Sequence, residues 1–381
     1  MNTNAIYLDY AAATPLNEGV FQAMQPYFSD QFFNPSATYL AAQAVRKDVA
    51  QARARIAHWL GSRPSEVVFT AGTTEANNLV IHGVMRQFPE ANIVVSAIEH
   101  DSILEPAAQY NCRQVAVNKD GIVSLADLQK AIDDNTVLVS IMYANNEVGV
   151  IQPLPAISHT LAAIREDRQA RGVSLPLYLH TDAAQAAGYL DVHVARLGVQ
   201  FMTIGGGKIY GPKQSGALFV HAGVQLAPQV LGGGQERGMR SGTENVAGSI
   251  GLAQALDMVQ KMRHEELARL QLLQKRFLDL LAEAIPQAVL NGSRQHRLAN
   301  NVHITIPGQD NERLLMALDE AGVMCAAGSA CSASSEEPSH VLRALGLSEA
   351  EAQASLRFTM GQGTTEAHIE KTVQVLAQIV S

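Results

Sequence analysis

Short apolar runs alternate with amphipathic stretches through the first two thirds of the chain. Glu66–Thr70 (EVVFT), Asn92–Ser96 (NIVVS), Val137–Tyr143 (VLVSIMY), Leu177–Thr181 (LYLHT) and Val199–Ile204 (VQFMTI) are bounded by polar or glycine residues and predict buried strands. Between them, Thr73–Gln87, Ser124–Ile132 and Ile157–Arg171 predict helices. Strand–helix alternation on this scale implies an α/β protein whose mostly parallel sheet is covered on both faces. A glycine-rich tract, Leu231–Thr243 (LGGGQERGMRSGT), breaks the pattern. A long helix over about Glu244–Ala284 follows, with Leu270, Leu273, Phe277 and Leu280 on one face. From about Pro286 onward, two strands (Asn301–Ile306 and Ser355–Met360) mix with helices at Asn311–Ala321, Pro338–Leu345 and Thr365–Val380. This reads as a smaller α+β domain joined through the long helix. Residues 15–255 would form the large domain, and residues 1–14 with 256–381 the small one.

Composition narrows the possibilities. The 381 residues are 47% hydrophobic, ample for a large core, so disorder is excluded. Formal net charge is -8 with no basic run, which argues against nucleic acid or an anionic membrane as the primary partner. The first basic residue is Arg46, so neither a secretory signal nor a transit peptide is expected. No apolar run reaches the ~18–20 residues of a membrane span. Three cysteines (Cys112, Cys325 and Cys331) cannot build a disulfide framework. These features predict a cytoplasmic protein of enzyme size.

Ligands of a parallel sheet bind beyond the carboxyl ends of its strands, and several chemically capable residues fall there. Ala71-Gly72-Thr73-Thr74-Glu75 follows EVVFT and opens a helix. It reads either as simple threonine capping or as a phosphate seat of hydroxyls and free N–H groups. His100 follows NIVVSAI, either as a structural residue or as a ring that stacks on a planar cofactor and moves protons. Asn145-Asn146-Glu147 follows VLVSIMY as a polar turn or as amides directed at a ring oxygen. Asp182 ends LYLHT and must find a partner, with Gln185 just beyond. His180 and Asp182 lack a clear third ligand for a metal. Lys208 is one of eight lysines and follows Gly205-Gly206-Gly207 at the end of VQFMTI, a placement suited to Schiff-base chemistry. Phosphate seat, stacking histidine, strand-end aspartate and strand-end lysine together make the parts list for pyridoxal 5'-phosphate (PLP). The aspartate would keep the ring an electron sink. Cys331 sits among small residues (AAGSACSASS, 326–335) that predict a mobile loop carrying a nucleophilic thiol. Cys325, on a strand-like approach, is expected to be buried, and Cys112 has no informative context.

Taken together, these residues resemble the cysteine desulfurases of the group with the longer catalytic loop. That group lies within the fold-type I, class V aminotransferase superfamily. The resemblance spans essentially the whole chain: Leu8–Pro15, Asn34-Pro35-Ser36, Ala71–Asn78, Asn145–Gly149, His180–Gln185, Lys208–Lys213, Gly232–Thr243, Gly328–Cys331 with Glu337-Pro338-Ser339, and Ser355–Gly361. It implies Lys208 as the Schiff-base lysine, His100 stacked on the ring as acid/base, and Asp182 paired with the pyridine nitrogen. Asn146 and Gln185 would contact ring oxygens. Thr73 and Thr74 would bind phosphate, as would Thr243 reaching across a homodimer. Arg357 and Asn34 would hold the substrate carboxylate. Cys331 would attack the sulfur of L-cysteine, giving alanine and a persulfide for a sulfur-acceptor protein, either an iron–sulfur scaffold or a thiolation protein.

Two departures from the family pattern stand out. The family usually carries Ser-x-His before the Schiff-base lysine, both side chains on the cofactor phosphate; here Gly205 and Gly207 occupy those positions. Their backbone N–H groups could form an anion nest instead. Unreplaced, the two lost donors would weaken cofactor retention by ~1–3 kcal/mol. The family's histidine shortly after Asn-Pro is also absent, the run being Ala37-Thr38-Tyr39-Leu40. The resemblance attributes a scaffold-binding C-terminal extension to housekeeping members; with Ser381 closing the sequence soon after its last helix, that extension is not expected, and the resemblance implies no single sulfur recipient. Two rivals stand beside the desulfurase reading. One is a selenocysteine lyase or another class V PLP enzyme; the other is a degenerate scaffold or sulfur-transfer subunit.

Overall fold

The computed structural model describes residues 5–328 and 338–381. Among the described residues twelve strands fall in chain order: β1 Ile6–Tyr7, β2 Val67–Thr70, β3 Asn92–Ser96, β4 Asn111–Val115, β5 Thr136–Ser140 and β6 Tyr178–Asp182, then β7 Phe201–Gly205, β8 Gly216–Val220, β9 Val289–Leu290, β10 Asn301–Thr305, β11 Val323–Met324 and β12 Ser355–Thr359. Seven of them form one sheet in the order β2-β8-β7-β6-β5-β3-β4. Only β8 runs against its neighbours; every other pair is parallel. The doubly covered, mostly parallel sheet expected from the alternation is therefore present. Within this sheet β2, β3, β5, β7 and β8 are buried at every residue and β6 at all but its first, which is why all of these except β8 read as continuous apolar runs.

The strand ends differ from the sequence expectation in instructive ways. The expected strand Val137–Tyr143 is assigned as Thr136–Ser140, although the Ile141 and Tyr143 N–H groups still donate to the His180 and Asp182 carbonyls of β6. Two strands of this sheet escaped the pattern. β4 (NCRQV) is the sheet's edge, mostly polar and partly exposed, so it lacks an apolar signature. β8 (GALFV) is as long as its neighbours but opens on Gly216 and Ala217 directly after the turn-like Gly211–Ser215.

Helix Leu40–Leu60 also went unread, because its buried positions are mostly alanine and valine among charged residues. The long helix spans Val246–Ala284, capped by the Asn245 side chain accepting from the Gly248 N–H. Its distal inner face carries Leu270, Leu273, Phe277 and Leu281; the drift from Leu280 to Leu281 follows from 3.6 residues per turn. None of the described helices is long and apolar enough to cross a membrane.

The C-terminal region builds a smaller antiparallel sheet, β12-β10-β9. The chain's first strand joins this region: β1 pairs in parallel with β11, and Asp9 bridges to Thr359. Residues 11–14 then run back to the large sheet. The Thr14 N–H and hydroxyl donate to the Gly207 carbonyl, and Lys213 Nζ donates to the Thr14 carbonyl at 2.7 Å. This crossing places backbone carbonyls over the carboxyl ends of β6 and β7.

Candidate active site

A cleft at those carboxyl ends is lined by Ala11, Ala12, Thr73, His100, Met142, Ala144, Asn146, Asp182, Ala184, Gln185, Lys208 and Arg357. With its open mouth, solvent space included, it measures about 560 Å³. Seven residues singled out from sequence thus converge: Thr73, His100, Asn146, Asp182, Gln185, Lys208 and Arg357.

Asp182 is the last residue of β6 and is buried. Its Oδ1 accepts from the Ala184 N–H at 2.8 Å and its Oδ2 from Asn77 Nδ2 at 2.7 Å. Each oxygen keeps a further lone pair for a donor in the cleft. The same Asn77 amide donates to Ser102 Oγ at 2.9 Å, and Ser102 Oγ in turn lies 3.0 Å from His100 Nδ1. His100 caps helix Asp101–Ala107, its Nδ1 also accepting from the Ser102 N–H at 3.0 Å. With Nδ1 used as an acceptor, the neutral ring carries its proton on Nε2. Aspartate and histidine are therefore held by one chain of hydrogen bonds through Asn77 and Ser102. The local sequence of Ala71–Asn78 does not reveal this function of Asn77, whose only signal there is an amide on an otherwise apolar helix face.

Lys208 ends the short turn Gly206–Lys208 that follows β7. Its Nζ donates to the carbonyls of Ala11, at 2.8 Å, and of Ala12. Gln185 Nε2 reaches the same Ala11 carbonyl at 3.0 Å. Arg357, in β12, is 1% exposed. Its Nη2 donates to Asp9 Oδ1 at 2.7 Å and its Nη1 to the Asn146 carbonyl at 3.1 Å, while buried Nε has no partner among the described residues. Asp9 thus orients the guanidinium from behind, a function its place in Leu8–Pro15 did not reveal. Asn145 makes the turn that presents Asn146: its Oδ1 accepts from the Glu147 and Val148 N–H groups.

At the opposite end of the cleft, helix Thr73–Met85 begins at Gly72, with no side-chain cap. Its free N–H groups and the Thr73 hydroxyl fit an anionic group there. A buried acid, a lysine amine, a ring-bearing wall and an anion seat are the donor set that PLP requires. Three candidates lie away from the cleft of their own chain. Thr74 and Thr243 are exposed, and Asn34 is exposed with its Oδ1 accepting from the Ser36 N–H at 2.9 Å. Gly205 is buried and Gly207 half-buried beside Lys208. Cys331 lies outside the described residues.

Cys325, expected to be buried, is only partly so, and His180 sits in a hydrogen-bonded core site. His180 is fully buried between Ser140 Oγ (2.8 Å) and Thr203 Oγ1 (3.1 Å), and burial drives its pKa down to about 3. Cys325 is half-buried, and desolvation pushes its thiol up to about 12.

Glu99, next to His100, is fully buried; its Oε1 accepts from Ser96 Oγ and from the Met142 N–H, while Oε2 has no partner among the described residues. Burial raises its pKa from 4.5 to about 8, against the opposing effect of those two hydrogen bonds. Its contribution to stability is therefore complete below the unfolded value and is lost as pH rises through the folded one. Glu99→Gln keeps an acceptor and removes the charge. We expect it to leave the melting temperature unchanged near pH ~5 and to raise it near pH ~9, as followed by circular dichroism. Equal shifts at both pH values would contradict the buried acid.

The class-V aminotransferase family model matches residues 6–372. The cysteine desulfurase IscS of Dictyoglomus turgidum is 38% identical over 382 residues, covering 98% of this chain and 94% of that protein. The solved structure of a NifS-like protein superposes with a TM-score of 0.90 at 27% identity, covering 99% of both chains. The structure titled SspA in complex with cysteine gives a TM-score of 0.77 at 32% identity, over 93% of this chain and 98% of that one.

Proposed function

The chain belongs to the class-V aminotransferase family and, within it, to the cysteine desulfurases; on that premise we propose that it uses PLP, with Lys208, His100 and Cys331 carrying the chemistry. The observation that supports this reading most is the convergence of Lys208, Asp182, His100, Gln185 and Arg357 on one cleft. PLP bound there would supply an electron sink that labilises bonds at the substrate's α and β carbons.

The residues divide the remaining work. Arg357, backed by Asp9, takes the carboxylate of L-cysteine and orients the amino acid. Asp182 would pair with the ring nitrogen and hold its proton. Lys208 Nζ, which donates to the Ala11 and Ala12 carbonyls, would be the amine that engages the cofactor and moves the α-proton. His100 Nε2–H supplies a proton to the departing or developing centre. Cys331 attacks the substrate sulfur: a sulfur–sulfur bond forms and the carbon–sulfur bond breaks. The carbon is reduced to the methyl of alanine, and the transferred sulfur is oxidised to the persulfide level. A homodimer, with Thr243 reaching the phosphate seat of a second copy, fits that residue's exposure on its own chain. An acceptor protein would then take the persulfide sulfur.

The test is to supply L-cysteine with a thiol reductant and quantify products, expecting alanine and sulfide in equal amounts. Turnover of selenocysteine alone would instead establish the lyase reading, and no product from either would favour the scaffold reading. Asp182→Asn should lower kcat by about 10²–10³-fold, because an amide cannot stabilise a protonated ring nitrogen. Steady-state kinetics with unchanged kcat would remove Asp182 from that role.

A further inference from the structure

Gly205 is glycine for a spatial reason. Its backbone is extended (φ -132°, ψ 137°), a conformation open to any residue. A Cβ at this position, however, would stand 2.5 Å from Thr73 Cγ2, closer than two carbons can approach. Thr73 Cβ lies 3.8 Å from the same point, an ordinary contact, so the conflict is with the threonine methyl alone. The turn carrying Thr73 has little freedom to withdraw. Thr70 Oγ1 donates to the Gly72 carbonyl at 3.0 Å, and the Ala71 N–H donates to Glu75 Oε2 at 3.0 Å. Glu75 is itself clamped by Arg240 at 2.8 Å. Position 207 is different: a Cβ there would meet nothing nearer than Lys213 Cγ at 3.7 Å.

Thr73 therefore claims the space that a side chain at 205 would need. It does so where it lines the cleft at the uncapped start of a helix, with a hydroxyl to offer and no side-chain donor at 205 or 207. We propose that Thr73 and Gly205 are one interdependent pair: the Thr73 hydroxyl is the side-chain donor to the cofactor's phosphate monoester, and Gly205 lacks a side chain to make room for the Thr73 methyl. The inference rests on the PLP reading and adds to it a residue-level cause for the glycine at 205.

The experiment measures the binding of PLP and of pyridoxal, which lacks the phosphate, to protein stripped of cofactor. Wild type is compared with Thr73→Ala, Thr73→Ser, Gly205→Ser and the double variant Thr73→Ala/Gly205→Ser. Thr73→Ala should weaken PLP by about ten- to a hundredfold, the loss of one hydrogen bond to a charged group, and leave pyridoxal unchanged. Thr73→Ser should match wild type. Gly205→Ser alone should lose PLP affinity and thermal stability through the clash, whereas the double variant, with the methyl gone and a hydroxyl restored from the other side, should recover most of both. Equal losses for PLP and pyridoxal in Thr73→Ala, or a double variant no better than Thr73→Ala, would overturn the pairing while leaving the desulfurase reading intact. A wild-type protein that takes up no PLP would overturn the pairing and that reading together.

Discussion

Lys208→Ala is expected to reduce cysteine turnover by on the order of 10⁴-fold or more, the scale on which enzymes lose activity when a covalently acting residue is removed. The geometry gives this variant a specific signature. Lys208 Nζ is delivered into the cleft by the Ala11 and Ala12 carbonyls, at the end of a glycine turn with no neighbouring lysine able to replace it: Lys213 is committed to the Thr14 carbonyl. Borohydride reduction should therefore fix PLP covalently to wild type and not to Lys208→Ala. Alanine also removes the amine donor of the two carbonyls, of which that of Ala11 keeps Gln185, so a stability loss of about 1 kcal/mol should accompany the chemical defect in cofactor-free protein. Covalent labelling of the variant at another lysine would move the Schiff-base assignment elsewhere.

Cys331→Ser is expected to abolish persulfide formation and cut sulfide release by on the order of 10³-fold or more, with cofactor binding unchanged. Serine is nearly isosteric, but its hydroxyl is a far weaker nucleophile toward sulfur than a thiolate. The other two cysteines cannot substitute. Burial pushes the Cys325 thiol up to about 12, and burial also raises that of Cys112, which stands in the edge strand β4. Both remain protonated at neutral pH, whereas nucleophilic attack requires the thiolate. Alkylation at neutral pH followed by mass mapping should accordingly modify Cys331 well ahead of Cys325. Sulfide release from Cys331→Ser at the wild-type rate would refute the nucleophile assignment.

Much of this site was legible in the sequence because a parallel sheet converts strand ends into a common surface. Asp182 ends β6, Gly205 ends β7 and His100 closely follows β3, so residues separated by up to a hundred positions meet without any need to predict side-chain packing. Residues that act through others were not legible. Asn77 earns its place only when the helix is laid against the sheet and its amide spans Asp182 and Ser102. Asp9 becomes meaningful only when β12 brings Arg357 beside it, 348 positions away in the chain. The glycine at 205 read as a lost donor; its cause is a methyl group on a neighbouring element, which no local pattern encodes. Elements were missed for similar reasons. β4 is polar because it lies at an edge, and Leu40–Leu60 buries small side chains that carry a weak periodic signal.

The most direct test of the account is the visible absorption spectrum of the purified protein before and after L-cysteine. A yellow cofactor band that shifts on addition, with sulfide appearing under a reductant, is the predicted result. A colourless protein that stays inert to cysteine even after incubation with PLP would contradict it.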